Sequence, residues 1–152
     1  MLRVTKLTDY ASVVLTVLAS DPDAVLSAAG LAERAGLEAP TVAKLLKPLA
    51  QAGLVDAFRG VNGGYRLARD ARHISLVQIV EAMEGPLAMT ACSAEGEPCG
   101  IAHSCGARSN WRRINDVVAD ALRGVSLADM LAPAAAVQPR ARRVIPATLA
   151  SN

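Results

Sequence analysis

Gly53-Leu54-Val55-Asp56-Ala57-Phe58-Arg59-Gly60-Val61-Asn62-Gly63-Gly64-Tyr65-Arg66-Leu67 carries the strongest structural signal in the chain. Two short runs of strand-favouring residues flank a glycine-rich centre, and Asn-Gly favours the positive backbone angles of a tight turn, so the stretch predicts a β-hairpin. The residues before Gly53 read as a helix. From Pro40 to Ala52, Val42, Leu45, Leu46 and Leu49 fall on one side, while Thr41, Lys44, Lys47 and Gln51 are left outward. A hairpin directly behind a helix with a polar, basic outer face predicts a wing.

Further upstream, Ser27 to Ala35 forms a short helix, and Gly36 permits a tight turn before Pro40, a residue at home in a first helical turn. Two helices joined so closely predict a helix-turn-helix. Thr8 to Ser20 precedes them, with Leu7, Tyr10, Ala11, Val14, Leu15 and Leu18 near a 3.6-residue repeat and Asp21-Pro22-Asp23 closing it. Downstream of the hairpin, Ile74 to Met83 reads as another helix, stopped by Gly85-Pro86. Residues 1–84 thus form the expected winged helix-turn-helix domain.

Regularity then lapses. Residues 85–108 hold Gly96, Pro98, Gly100 and Gly106 between three cysteines, a composition that lets backbone wrap closely around something. Residues 109–132 return to helical periodicity, with Trp111, Ile114, Val117, Val118, Leu122 and Val125 in an apolar stripe that nothing nearby in sequence covers. A second subunit is the simplest cover, and Trp111, Ile114, Val118 and Leu122 are the expected dimer contacts. Ser126 to Leu131 adds a terminal helical turn, and residues 133–152, rich in Ala, Pro and Arg without a repeat, are expected to be disordered. The fold class is mainly α: a winged helix-turn-helix with a small β-hairpin, plus a long C-terminal dimerisation helix.

Composition agrees. The 52% apolar fraction is mostly Ala, Leu and Val with only 3% aromatics, which suits short packed helices better than a sheet sandwich. No run approaches the roughly 18 apolar residues of a membrane span, and the opening residues lack a signal-peptide core, so a soluble, cytoplasmic protein with no membrane partner is expected. The net charge of +2 says little, but its distribution says more. Between Ala39 and Arg72 stand Lys44, Lys47, Arg59, Arg66, Arg69 and Arg72 against Asp56 and Asp70, whereas Glu81 to Cys105 has four glutamates and no Lys or Arg.

Clustered cations attract duplex DNA through counterion release, and the major groove admits one helix whose outward side chains meet base edges. Thr41 and Lys44 lie in the N-terminal half of the third helix, where bases are read, and Lys47 is placed for phosphate. Arg59, Asn62 and Arg66 on the wing are placed for backbone or a narrow minor groove. A solvated basic face is the bland alternative, and the order of elements outweighs it.

Cys92, Cys99 and Cys105 are separated by six and then five residues, too far apart for paired zinc knuckles and suited to an iron-sulfur cluster. A zinc site completed by His103, a thiol redox switch and plain buried cysteines remain alternatives at this point. No Ser, His and carboxylate set and no glycine-rich phosphate loop accompanies the cysteines, so an enzyme is not expected.

Taken together, these residues resemble the Rrf-two family of winged-helix regulators, which includes IscR-like and NsrR-like cluster sensors. The likeness rests on Leu2 to Ala11, on Gly53-Leu54-Val55 with Arg59 to Leu67, on the three cysteines, and on Trp111 followed by Ser126-Leu127-Ala128-Asp129, over about residues 1–132. It implies a homodimer with crossing C-terminal helices, one recognition helix per subunit, and a cluster on the cysteines, taken as 2Fe-2S ahead of 4Fe-4S. In one branch a histidine three residues after the last cysteine is the fourth ligand, and the matching residue here is Arg108. Asp9, where the nitric-oxide-sensing branch takes a carboxylate from the partner subunit, and His103 are the candidates that remain. The resemblance implies a repressor of SUF-type cluster assembly genes, with a nitric-oxide or redox stress regulator second and a zinc-stabilised dimeric adaptor as the reading from another class.

Overall fold

The computed structural model describes residues 3–91, 93, 100 and 105–132. Cys92, Cys99, His103 and the expected disordered tail, residues 133–152, lie outside the described residues. The elements are α1 (Lys6–Ser20), α2 (Ala28–Ala35), α3 (Ala39–Gln51), β1 (Val55–Phe58), β2 (Gly64–Leu67), a 3-10 turn (Ala71–His73), α4 (Leu76–Glu84), α5 (Arg108–Arg123) and α6 (Leu127–Leu131). This is the mainly helical winged-helix arrangement the sequence predicts.

Local capping explains most of the boundaries. Thr5 caps α1 by accepting from Thr8 N at 3.3 Å, which starts the helix two residues before the expected Thr8. Ser27 caps α2 in the same way through Gly30 N at 3.1 Å. Pro40 sits in the first turn of α3, where its missing N–H has no helical partner to lose. Pro48 sits inside the same helix and removes one backbone donor there. In α4, the Gln78 side chain accepts from Ser75 N at 3.0 Å, so the helix begins at Leu76 and leaves Ile74 extended.

The core gathers the apolar stripe of α1 (Val14, Leu15, Leu18), Leu31 of α2, the inner face of α3 (Val42, Leu45, Leu46, Leu49), and Leu54, Val55 and Leu67 of the hairpin. It also takes in Leu127, from beyond α5, with no exposed surface. Leu127 is drawn in because the chain doubles back. Leu127 N donates to Ile74 O at 2.7 Å and Leu76 N to Val125 O at 2.8 Å, a short antiparallel bridge that places α6 against α1. The terminal turn is therefore part of the core of the N-terminal domain.

The hairpin pairs Val55 with Leu67 and Phe58 with Gly64. Its turn differs from the expectation. The positive backbone angle is at Gly60 (φ 110°), and the Asn62-Gly63 pair does not supply one. Gly63 closes the turn by donating to Gly60 O at 3.0 Å, and a side chain there would put Cβ 2.5 Å from Phe58 O. A third edge is added by Leu26, which exchanges backbone bonds with Tyr65 at 3.0 and 2.8 Å. Gly64 is required by that approach, since its Cβ would stand 2.5 Å from Leu26 O.

Glu84, the last residue of α4, reaches the start of α1. Its Oε1 accepts from Thr5 N at 2.8 Å and from the hydroxyl of Thr8, which is buried. The Thr8 and Thr5 hydrogen bonds hold the Glu84 carboxyl below its ordinary pKa. Because the folded-state pKa is the lower one, this stabilisation is complete above the ordinary carboxylate range and is lost as pH falls through the depressed value. Glu84→Gln is expected to flatten the acid limb of the stability-against-pH curve, measured by urea unfolding at a series of acidic pH values. Leu127→Ala is expected to destabilise the domain by about 2–5 kcal/mol, as for any buried core leucine. Urea unfolding at fixed protein concentration checks it, and a loss of only a few tenths would place α6 outside the cooperative core.

Candidate nucleic-acid interface and cysteine centre

Helix α3 is pinned by its buried face against α1, α2 and α4, so its other face is fixed in direction. Lys44 and Lys47 are exposed on it, and among the described residues neither enters an ion pair. Thr41 is half-buried, less outward than its place in the sequence suggests. On the wing, Arg59 and Asn62 are exposed in the loop between β1 and β2, beside Val61 at the fully exposed tip.

Arg66 is half-buried and does not extend freely. Its guanidinium lies over the Phe58 ring, 5.1 Å from the centroid, although Asp56 is its cross-strand partner. Arg72, counted among the basic residues, is engaged by Asp70 at 3.0 and 2.7 Å, and those hydrogen bonds hold the Asp70 carboxyl well below the usual range. Among the described residues of this stretch, the cations outside any ion pair are Lys44 and Lys47 on α3, Arg59 on the wing and Arg69 beyond it, with Arg66 stacked over Phe58.

The cysteine segment is anchored at both ends on α5. Met89 N donates to Asn115 Oδ1 at 3.1 Å, and Arg108 N approaches Cys105 O at 3.5 Å. Thr90 and Ser93 close a small turn, with hydroxyls 2.8 Å apart. Cys105 is half-buried with a free thiol, and it shares with Arg108, Arg112, Arg113 and Asp116 an open hollow of about 530 Å³. Among the described residues, Arg108 Nε is a buried donor without an acceptor. Among the described residues Cys105 is the one cysteine, and no group of three metal-ligating side chains forms among them.

Asp9 is exposed in the first turn of α1, next to the Thr5, Thr8 and Glu84 cluster. It stays a candidate ligand. His103, with Cys92 and Cys99, falls outside the described residues.

The apolar stripe of α5 divides in two. Trp111, Ile114 and Val117 are exposed at 39%, 42% and 46%, whereas Val118 and Leu122 are half-buried and Ala119 is buried on the side that meets α4. Part of the stripe therefore seats the helix on its own domain, and the exposed part remains to be covered. Residues that sequence reading missed include Asn115, Glu84 and Leu26. Asn115 and Glu84 act through polar tertiary bonds that leave no trace in helical periodicity, and Leu26 acts through its backbone.

Comparisons with known proteins agree with this geometry. A family model described as Rrf2, iron-dependent transcriptional regulator, matches residues 4–133. The protein aau3 of Rhizobium meliloti (strain 1021) is 34% identical over 131 residues, covering 86% of this chain and 85% of its own length. Among solved structures, T. potens IscR is 30% identical with a TM-score of 0.64, covering 91% of this chain and 94% of that one. CymR, the global cysteine regulator of B. subtilis, is 27% identical with a TM-score of 0.68, covering 86% and 97%. Among the described residues no helix is long and apolar enough to cross a membrane. The chain belongs to the Rrf2 family, and it is a winged-helix transcriptional regulator and not an enzyme.

Proposed function

We propose that this chain acts in the cytoplasm as a homodimeric repressor of SUF-type iron-sulfur assembly genes, its DNA affinity set by a 2Fe-2S cluster. The observation that carries the reading is the attachment of the cysteine segment. One end continues from Glu84, which bonds the cap of α1, and the other continues into α5, whose far end returns to the domain core through Leu127. A group that orders this segment bears on both ends of the DNA-binding domain at once.

In this reading Cys92, Cys99 and Cys105 hold the cluster, with Asp9 of the partner subunit as fourth ligand and His103 as the alternative. The bound cluster supplies a centre whose occupancy and charge respond to iron, oxidants and nitric oxide. Thr41 and Lys44 meet base edges, Lys47 meets phosphate, and Arg59, Asn62 and Arg66 follow the backbone or minor groove. Exposed Trp111, Ile114 and Val117 pair the two copies of α5, with Val118 and Leu122, half-buried against the chain's own domain, at the edge of that contact, and so set the spacing of the recognition helices.

A nitric-oxide or redox stress regulator is the second reading, favoured by Arg108 standing where the resemblance places a histidine ligand, since a carboxylate in its stead is a harder, weaker donor for iron. CymR shares the fold, so the fold alone does not choose among signals.

Protein isolated without oxygen is expected to be coloured and to contain iron and sulfide. Zinc alone would leave the adaptor reading in place and remove the sensor. In DNA-binding titrations, Lys47→Ala is expected to weaken all sequences alike and to lower the slope of log affinity against log salt by about 1 per contact. Lys44→Ala is expected to cost roughly 1–3 kcal/mol on the operator and to relax its preference over unrelated DNA. Unchanged binding in both variants would sink the proposed interface.

A further inference from the structure

We propose that Phe58 is a positioning residue of the wing: its ring holds the Arg66 guanidinium away from Asp56, so that the cation is kept for a DNA phosphate. The proposal rests on the DNA-binding reading of the wing above and assigns roles to two residues outside it, Phe58 and Asp56.

The strand register sets up a choice for Arg66. Asp56 stands opposite Arg66 and Phe58 opposite Gly64, so residues 56, 58, 64 and 66 share one face of the hairpin. That face is the outer one, since Val55 and Leu67 on the other face belong to the core while Asp56 and Phe58 are exposed. Arg66 thus has two cross-strand neighbours within reach, a carboxylate directly opposite and a ring on the diagonal. Opposite charges so placed normally pair. Here Arg66 lies over the Phe58 ring, 5.1 Å from the centroid, and among the described residues it enters no ion pair. Gly64 leaves the ring to Arg66: the close approach of Leu26 O excludes a Cβ there, so no side chain from residue 64 competes for it.

The two partners do different things to the cation. A carboxylate neutralises the guanidinium and takes up its N–H donors in a forked pair, whereas a ring attracts it through its quadrupole, cancels no charge and supplies no lone-pair acceptor. Arg66 on Phe58 is therefore still a full cation with donors for phosphate. On Asp56 it would be a closed pair that DNA has to break. Arg72 shows that outcome nearby, where Asp70, two residues away, takes the guanidinium at 3.0 and 2.7 Å. At an exposed site the ring contact and the ion pair are of similar small size, so removing the ring is enough to hand Arg66 to Asp56.

A double-mutant cycle read by DNA binding tests this. The full-length proteins are wild type, Phe58→Ile, Phe58→Tyr, Asp56→Asn, Arg66→Gln, and Phe58→Ile combined with each of the last two. Each is titrated by fluorescence anisotropy over a range of salt, against one duplex that the wild type selects from a random-sequence library. Isoleucine favours strand as phenylalanine does and lacks the ring; should urea unfolding show that Phe58→Ile does not fold, Phe58→Leu takes its place with the same outcomes.

Phe58→Ile is expected to lower the slope of log affinity against log salt by about 1 and affinity roughly tenfold, as for one lost phosphate contact. Phe58→Tyr is expected to bind like wild type. Asp56→Asn is expected to restore the slope in the Phe58→Ile protein and to gain more affinity there than in wild type. In the Arg66→Gln background Phe58→Ile is expected to change nothing further. A wild-type slope in Phe58→Ile, where Arg66→Gln has lost its own, overturns the proposal. Equal gains from Asp56→Asn in both backgrounds overturn it too, as does an equal loss from Phe58→Ile with and without Arg66. A wild-type slope in Arg66→Gln, or a wild type that selects no duplex, would instead fell the DNA-binding reading of the wing, and this proposal with it.

Discussion

Everything distal to the wing depends on one closure: the backbone bridge between residues 74–76 and 125–127, sealed by Leu127 in the core. Two backbone hydrogen bonds and one buried leucine hold the chain where it returns after α5. Each bond is modest, but burying the leucine adds roughly 1.5–3 kcal/mol and fixes the register of the bridge. Because α4 starts at this bridge and α5 ends at it, the segment between them is a closed excursion, tied at its base. Glu84 and Asn115 add two further ties on the way out.

That closure separates two electrostatic territories. Lys44, Lys47 and Arg59 face away from the core on α3 and the wing, and no carboxylate among the described residues neutralises them. Glu84, at the end of α4, is already engaged by the start of α1. Arg72, Arg123 and Arg34 belong to local pairs with Asp70, Asp120 and Asp21, exposed contacts of small energy that subtract cations from the surface field. The field that a phosphate backbone meets is therefore narrower than a count of Lys and Arg implies.

Most helix starts were legible because their signals are local: Ser27, Pro40 and Ser126 are caps or first-turn residues, and the stripe of α3 repeats at 3.6 residues, whereas the Thr5 cap of α1 lies before the expected start at Thr8. The hairpin was legible from glycine and β-branched patterning, but its turn was not. Asn62-Gly63 carried the expected signal, while Gly60 took the positive angle and Gly63 closed the turn by donating to Gly60 O. Leu127 in the core and Leu26 beside Tyr65 escaped because each depends on which distant backbone lies opposite, and Phe58 beneath Arg66 because the contact is made across the hairpin. The basic face and the cysteine spacing could be read directly, since chemistry that must meet a partner has to be displayed. The anchors that turn those features into one device are polar groups at unremarkable positions.

A regulator of this build needs no long-range wire. A ligand shifts an equilibrium only by the difference in its interaction with the two states, so the question is which contacts differ when the cysteine segment is ordered. The ties at Glu84, Asn115 and Leu127 supply them. Glu84 and Leu127 grip α1 from opposite ends of the excursion, while α5 carries the exposed Trp111, Ile114 and Val117 that a second copy would cover. Under the proposed function, a group bound by the cysteines would act on the seat of α5 on its own domain, and any change in that seat would be carried into the angle between two subunits. Recognition helices on a duplex must be spaced by its helical repeat of about 34–36 Å, so a small rotation at α5 is enough to move one of them out of register.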